Sequence, residues 1–200
     1  MTRTTRLSRW LVALGLIGAF LAALPPASPA SAADAMPGSW LPTAPARALT
    51  NATTATVLAD GRVFVTAYAG EQGQAAEIYD PATDSWQAIG PIPSPRLGQY
   101  IVAALHDGRV LIAGSERAGD NVIAHSAPAD IYDPATGLWS QTAPTNLLRY
   151  NAQTATVLAD GRVLVVGGWG GVATAANGPI TATAELYDPA TNAWTLTGSM

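Results

Sequence analysis

The stretch Asn51 to Val63 reads NATTATVLADGRV, and residues 151 to 163 read NAQTATVLADGRV, identical at every position but one. Between them Ile101 to Val110, IVAALHDGRV, is a weaker copy aligned on Asp107-Gly108-Arg109. A second block follows each copy: EIYDPATDSW at 77–86, DIYDPATGLW at 130–139 and ELYDPATNAW at 185–194. Its tyrosines, Tyr79, Tyr132 and Tyr187, lie 53 and 55 residues apart. Self-similarity at a period of this length is the signature of a repeat architecture in which each unit buries its apolar face against its neighbour.

Each repeat reads as four short strands. In the third, Ala155 to Leu158 is predicted as strand a, and Asp160-Gly161 as a two-residue turn in which both residues take positive φ. Arg162 to Val166 is strand b. A loop through Gly167-Gly168 leads to strand c, Thr183 to Tyr187, with Glu185 and Tyr187 on one face and Ala184 and Leu186 on the other. The Asp188-Pro189-Ala190-Thr191 turn follows, since proline fixes φ and Asp bonds its own backbone, and Trp194 opens strand d. Nothing after the first three dozen residues carries a helical period.

At these residues the chain resembles the kelch-repeat family, over essentially everything from Trp40 onward. Kelch blades are marked by a Gly-Gly pair after strand b and by a Tyr and a Trp on strands c and d. The aromatic pairs here are Tyr79 with Trp86, Tyr132 with Trp139, and Tyr187 with Trp194. The glycine pair is intact only as Gly167-Gly168; Gly114-Ser115 and Ala67-Tyr68 hold the equivalent places. The resemblance implies an all-β, kelch-type β-propeller, and three four-stranded blades make it an incomplete one, since propellers close with four to eight. Blades are expected at about 50–90, 97–143 and 150–198. Trp40-Leu41-Pro42-Thr43-Ala44-Pro45 resembles Trp139 to Pro144, so residues 39–44 read as a closing strand d donated from the N-terminal side.

An open blade face of about 400 Å² left wet forgoes about 10 kcal/mol, against a whole-domain stability of about 5–15 kcal/mol. The chain is therefore expected to be a fragment of a longer propeller or a half that associates with another copy.

Residues 1–32 read as a secretory signal peptide. The basic MTRTTRLSR leads into a 15-residue apolar run, Trp10 to Leu24, and Ala30-Ser31-Ala32 offers a cleavage site after Ala32. The run is shorter than the roughly 20 residues of a membrane span. A secreted protein, extracellular or periplasmic, is the expectation. Beyond this segment seven arginines face fourteen carboxylates, and the chain contains no lysine. Such an acidic body lacks the electrostatic footprint for nucleic acid or for anionic membrane. No cysteine is present, which excludes disulfides, thiolate metal sites and cysteine nucleophiles.

Function is read from what the repeats do not share. The interval from the DGR aspartate to the tyrosine of the same blade grows from 19 residues to 25 and then 27, so length variation falls in the b–c loops. Alternating strand direction gathers the b–c and d–a connections on one rim, and variable loops on a rigid scaffold are where recognition resides. Glu71, Gln72, Glu116, Arg117, Asp120, His125 and Trp169 are the loop candidates for ligand contact. Arg96 and Arg149 occupy matching d–a positions, each eleven residues before a DGR aspartate. There they fork onto a carboxylate of a ligand, or else form a structural ion pair or cap neighbouring carbonyls. The tryptophans are assigned to blade core and the DGR carboxylates to turns.

Catalysis has little support: of the two histidines, His106 sits in an a–b turn and His125 in a loop. The resemblance extends to the central domain of galactose oxidase, a copper enzyme that needs a cysteine crosslinked to a tyrosine and paired histidines; a chain without cysteine cannot carry that chemistry over. The expectation is a non-catalytic extracellular module, with no cofactor or metal, that binds a protein or carbohydrate. The alternative is the N-terminal part of a secreted galactose-oxidase-like or other carbohydrate-active enzyme.

Overall fold

The computed structural model describes residues 40–46, 51–68, 74–94, 96, 99–114, 128–170 and 180–200. The expected signal peptide lies outside them. The described residues contain twelve strands and no helix. β1 (Asn51–Val57), β2 (Val63–Tyr68), β3 (Gln74–Asp80) and β4 (Ser85–Pro91) form one antiparallel sheet in chain order. β5 (Ile101–Ala104), β6 (Val110–Ala113), β7 (Pro128–Asp133) and β8 (Leu138–Pro144) form the second, and β9 (Tyr150–Val157), β10 (Val163–Trp169), β11 (Ala184–Asp188) and β12 (Ala193–Leu196) the third. Strand a of each sheet lies beside strand a of the next, β1 by β5 and β5 by β9, while on the outside β8 meets β12. These are the blades of an incomplete kelch-type propeller.

The blades hold together through apolar seams. One unites Leu58, Phe64 and Ile78 of the first blade with Val110, Ile112 and Tyr132 of the second. The other joins Leu111, Ala103 and Ile131 of the second to Val163, Val165, Tyr187 and Trp194 of the third. Successive residues of β6 thus serve opposite seams, and all four are buried. In β10 burial alternates at first: Val163 and Val165 are buried against the second blade, whereas Leu164 and Val166 are half-buried. The alternation lies in the burial and not in the sequence, since Val163 to Val166 is as continuously apolar as β6.

The turns explain the motifs. In each DGR hairpin the glycine N–H donates to a leucine carbonyl three residues earlier, at 3.0, 3.0 and 2.9 Å for Gly61, Gly108 and Gly161. Only the glycine has positive φ, at 86°, 89° and 87°. The loop is therefore a three-residue turn closed by a left-handed glycine, not the two-residue turn expected. The aspartate, relieved of that strain, fastens the arginine instead. Its carboxylate accepts the arginine backbone N–H two residues on, at 3.0 to 3.1 Å, and the same arginine's Nε–H at 2.8 to 2.9 Å. In the Asp-Pro-Ala-Thr turns the Asp carboxylate takes the Ala N–H at 2.8 to 2.9 Å. The residue after Thr is left-handed in every copy, Asp84 at φ 47°, Gly137 at 73° and Asn192 at 54°, which are the residue types that tolerate it.

Residues 40–46 differ from expectation in forming no strand. Pro42 and Pro45 lack the N–H a ladder needs, and the segment is held by side chains instead. Asp84 accepts the Ala44 N–H at 2.9 Å and the Trp86 indole donates to the Ala44 carbonyl at 2.7 Å. Trp194 makes the matching contact on the third blade, donating to Thr142 of the Thr-Ala-Pro that ends β8, at 3.1 Å.

Candidate functional site: the rim of b–c and d–a connections

Strand order a-b-c-d within each antiparallel sheet puts the b–c and d–a connections at one end. The pairing of b with c stops at different heights: six residue pairs in the first blade, three in the second, four in the third. The loops thus leave their sheets at different levels of a common frame.

Six of the nine candidate residues, Glu71, Gln72, Glu116, Arg117, Asp120 and His125, lie outside the described residues. Trp169 is half-buried at the end of β10, its backbone paired with Tyr150 on one side and bridged to Ile180 on the other. Arg96 and Arg149 do not face outward to a ligand's carboxylate. Both guanidinium groups are turned into their own blades, with side-chain exposures of 0% and 3%. Arg96 pairs with Asp130 at 2.6 Å and donates to the carbonyls of Gly114 at 2.7 Å and Ile112 at 3.1 Å. Arg149 pairs with Glu185 at 3.1 Å and donates to the carbonyls of Gly167 and Thr183, each at 2.8 Å. They are latches: the d–a connection is pinned to strands b and c of the blade it enters, so the structural ion pair, and not a ligand contact, occupies both sites.

The latch explains two other recurrent features. Gly114 and Gly167 have φ of 89° and 71°, and each presents its carbonyl to the arginine. In the first blade the glycine is Ala67 and Leu49 stands at the aligned arginine position, so both are missing together. The acid persists as Glu77, fully buried like Asp130 and Glu185. Sequence reading missed these three carboxylates as a set, although an acid stands two residues before every motif tyrosine.

On this rim the described residues form one apolar cleft of about 340 Å³, walled by Leu147 and Leu148 on the d–a side and by Ile180, Thr181, Ala182 and Thr183 on the other. At the opposite rim a cleft of about 390 Å³ is lined by His106, Asp107, Arg109, Asp160 and Asp188. Its charges are spent internally: Arg109 holds Asp107 at 2.6 Å and reaches the Pro189 carbonyl of the next blade at 3.4 Å. Arg162 holds Asp160 at 2.7 Å, and its hydrogen bonds keep that carboxyl below the usual range. Among the described residues no cluster of three or more metal-binding side chains occurs, and no helix is long and apolar enough to cross a membrane.

The paired aromatics are tilted against each other; Tyr132, Tyr187 and Trp194 are buried, and Tyr79, Trp86 and Trp139 are half-buried. Tyr79–Trp86, Tyr132–Trp139 and Tyr187–Trp194 have ring centroids 5.1, 5.0 and 5.0 Å apart. Burial raises the phenols of Tyr132 and Tyr187, against the pull of Arg62 and Arg109 from the preceding blade's turn.

A protein-family model of the Kelch motif matches residues 151–200, the third blade. An F-box/kelch-repeat protein of Arabidopsis thaliana is 32% identical over 60% of this chain and 34% of its own length. Kelch-like protein 36 of Mus musculus is 26% identical over 58% of this chain and 18% of its own. Among solved structures, a fungal alcohol oxidase of the AA5 family in complex with copper matches 79% of this chain and 32% of that one, with a TM-score of 0.52 and 21% identity, a likeness of fold. The chain thus spans about a third or less of the length of these proteins. With the repeated Tyr–Trp pairs and three four-stranded sheets, these matches support a kelch-repeat family for the chain.

Proposed function

We propose that the chain is an extracellular, non-catalytic binding module that recognises a protein or a carbohydrate through its b–c and d–a rim, after removal of residues 1–32. The observation that carries this reading is the confinement of length variation to one rim, with intervals of 19, 25 and 27 residues, above turns that repeat almost unchanged at the other. The kelch-repeat relatives support a protein partner in particular, since repeats of this kind serve as interaction modules.

The likeness to a copper-containing alcohol oxidase favours a second reading, a part of a secreted carbohydrate-active oxidase. The donor set of this chain does not fit such a copper centre: there is no cysteine, and the two histidines belong to different loops, His106 in an a–b turn and His125 in a b–c connection.

Immobilised protein screened against a random-peptide display library and a glycan array tests the reading. Ligands held by the wild type should be lost when Glu116 and Arg117 are changed to alanine and kept when His106 is. Retention that depends on His106 and ignores the loop substitutions overturns it.

A further inference from the structure

We infer that the three Asp-Gly peptides of the a–b turns are latent sites of isoaspartate formation, each held unreacted by the arginine that follows it. The inference concerns the rim opposite the variable loops and stands apart from what those loops bind.

The chemistry is set by the sequence. Asp60-Gly61, Asp107-Gly108 and Asp160-Gly161 are the three Asp-Gly peptides of the chain, and arginine follows each. In such a peptide the glycine nitrogen attacks the aspartate Cγ: a C–N bond forms, a carboxyl C–O bond breaks, and water leaves a five-membered imide. Water then opens the ring at either carbonyl. One opening restores aspartate; the other runs the main chain through the side chain as isoaspartate, with no reactant but water. Glycine is the most permissive neighbour, because it has no Cβ to shield its nitrogen. The three aspartate side chains are 51%, 43% and 49% exposed, so solvent reaches them all.

Three observations say that this route is closed, and two of them belong to the arginine. Both carboxylate oxygens are engaged, one by the arginine backbone N–H at 3.0 to 3.1 Å and the other by its Nε–H at 2.8 to 2.9 Å. Whichever oxygen leaves as water, a bond to arginine must break. The departing oxygen must also take up a proton, and the guanidinium Nη2, at 2.8, 2.6 and 2.7 Å in the three turns, favours the ionised carboxylate instead. The third observation belongs to the turn. The glycine nitrogen has to give up its proton, which it donates to the carbonyl of Leu58, Leu105 or Leu158 at 2.9 to 3.0 Å. That bond survives removal of the arginine side chain, so the two contributions are separable. The product would add one main-chain atom to a hairpin in which the Leu158 N–H meets the Arg162 carbonyl at 2.8 Å.

Arg162 offers the cleanest test, since its hydrogen bonds stay within its own turn, whereas Arg109 also reaches the Pro189 carbonyl of the next blade. The full chain, its Arg162→Ala and Arg162→Lys variants and the free peptide of residues 158–163 are incubated at neutral pH. Isoaspartate at each site is read by mass spectrometry as resistance to cleavage by endoproteinase Asp-N. All three sites of the unaltered chain should isomerise more slowly than the free peptide. Arg162→Ala should speed the reaction at Asp160 by about tenfold or more, the factor that one charge-assisted hydrogen bond is worth, and leave Asp60 and Asp107 unchanged. Arg162→Lys, which keeps the charge and loses the Nε–H, should fall between. An Arg162→Ala rate equal to that of the unaltered chain overturns the inference, because the turn alone would then protect. A rise at all three sites together overturns it as well, since the arginine would be holding the fold and not its own aspartate.

Discussion

The second and third blades solve one problem with different acids. In each, an arginine from the d–a connection dives into the sheet and donates through Nη1 to the carbonyl of a left-handed glycine, Gly114 or Gly167. In the third blade Glu185 is long enough to meet Arg149 Nε, and it also accepts the backbone N–H groups of Asn146 at 2.7 Å and Leu147 at 3.2 Å. In the second blade Asp130 is one methylene shorter. It reaches Nη2 of Arg96 instead, takes its second bond from the Ser94 hydroxyl at 2.8 Å, and leaves Arg96 Nε with no partner among the described residues. A difference of one carbon decides whether the carboxylate organises the incoming backbone or only the side chains around it.

Removing the acid breaks the comparison most severely. Glu185→Ala strands a buried guanidinium together with two backbone donors that cannot move away, and Asp130→Ala strands a guanidinium and two side chains that can. Breaking a buried pair by one partner costs about 3–5 kcal/mol, so both variants should lose that much in urea denaturation, with Glu185→Ala the worse. Replacing both partners by apolar residues, as in Arg149→Met with Glu185→Leu, should recover the part of the loss due to the unpaired charge and not the part due to the Asn146 and Leu147 donors. A cost under about 1 kcal/mol at either site, no more than an exposed pair is worth, would mean that the latch does not hold its blade.

Exchanging the two acids sharpens the comparison at a smaller scale. Glu185→Asp should recreate the unpaired Nε of the second blade and release the part-buried Asn146 and Leu147 donors, a cost of about 1–3 kcal/mol led by the buried Nε left unsatisfied. Asp130→Glu offers Arg96 Nε the partner it lacks; the gain offsets the added methylene, and stability should stay within about 1.5 kcal/mol of wild type. If the denaturation midpoint falls further for Asp130→Glu than for Glu185→Asp, chain length is not what distinguishes the two latches.

The repeated blade is fully legible in the sequence because its determinants are local. Asp-Gly-Arg and Tyr-Asp-Pro-Ala-Thr set turns through bonds between residues two to four apart, and a Tyr–Trp pair is brought together by the hairpin those turns create. Even there the turn type differs from the one the Asp-Gly pair suggests, because glycine alone bears the backbone strain while the Asp carboxylate fastens the next arginine. The latches are legible only in part. Arg96 and Arg149 stand out by spacing, but their partners lie 34 and 36 residues away on strand c, and nothing local says whether a lone arginine points inward. The apolar cleft escapes a sequence reading altogether, because it joins residues from a d–a connection and from the far end of a b–c connection. Its trace in the sequence is the absence of charge from 163 to 184.

The smallest effect lies at the opposite ends of the same two blades, where the acids are alike and their surroundings differ. Arg162 grips Asp160 within a turn exposed to water, whereas Arg109 grips Asp107 and also reaches into the third blade. At Asp160 the hydrogen bond from the Arg162 side chain, followed by that from its backbone N–H, favours the ionised carboxyl and holds it below its ordinary 3.8. At Asp107 partial burial opposes ionisation, yet the side-chain and backbone bonds from Arg109 outweigh it and the carboxyl is again lowered from 3.8. A carboxyl depressed in the folded state contributes stability that is present above its unfolded value and lost as pH falls through its folded one. Both hairpins should therefore weaken only in acid, below the ordinary carboxylate range. Carboxyl ¹³C shifts followed by NMR should give midpoints under 3.8 for both residues. Arg162→Ala should return the Asp160 midpoint toward 3.8 and leave that of Asp107 where it was, since each clamp is closed within its own turn. A midpoint for Asp160 at or above 3.8 in the unaltered chain would remove the clamp, and a shift of Asp107 in the Arg162 variant would mean that the two turns titrate as one.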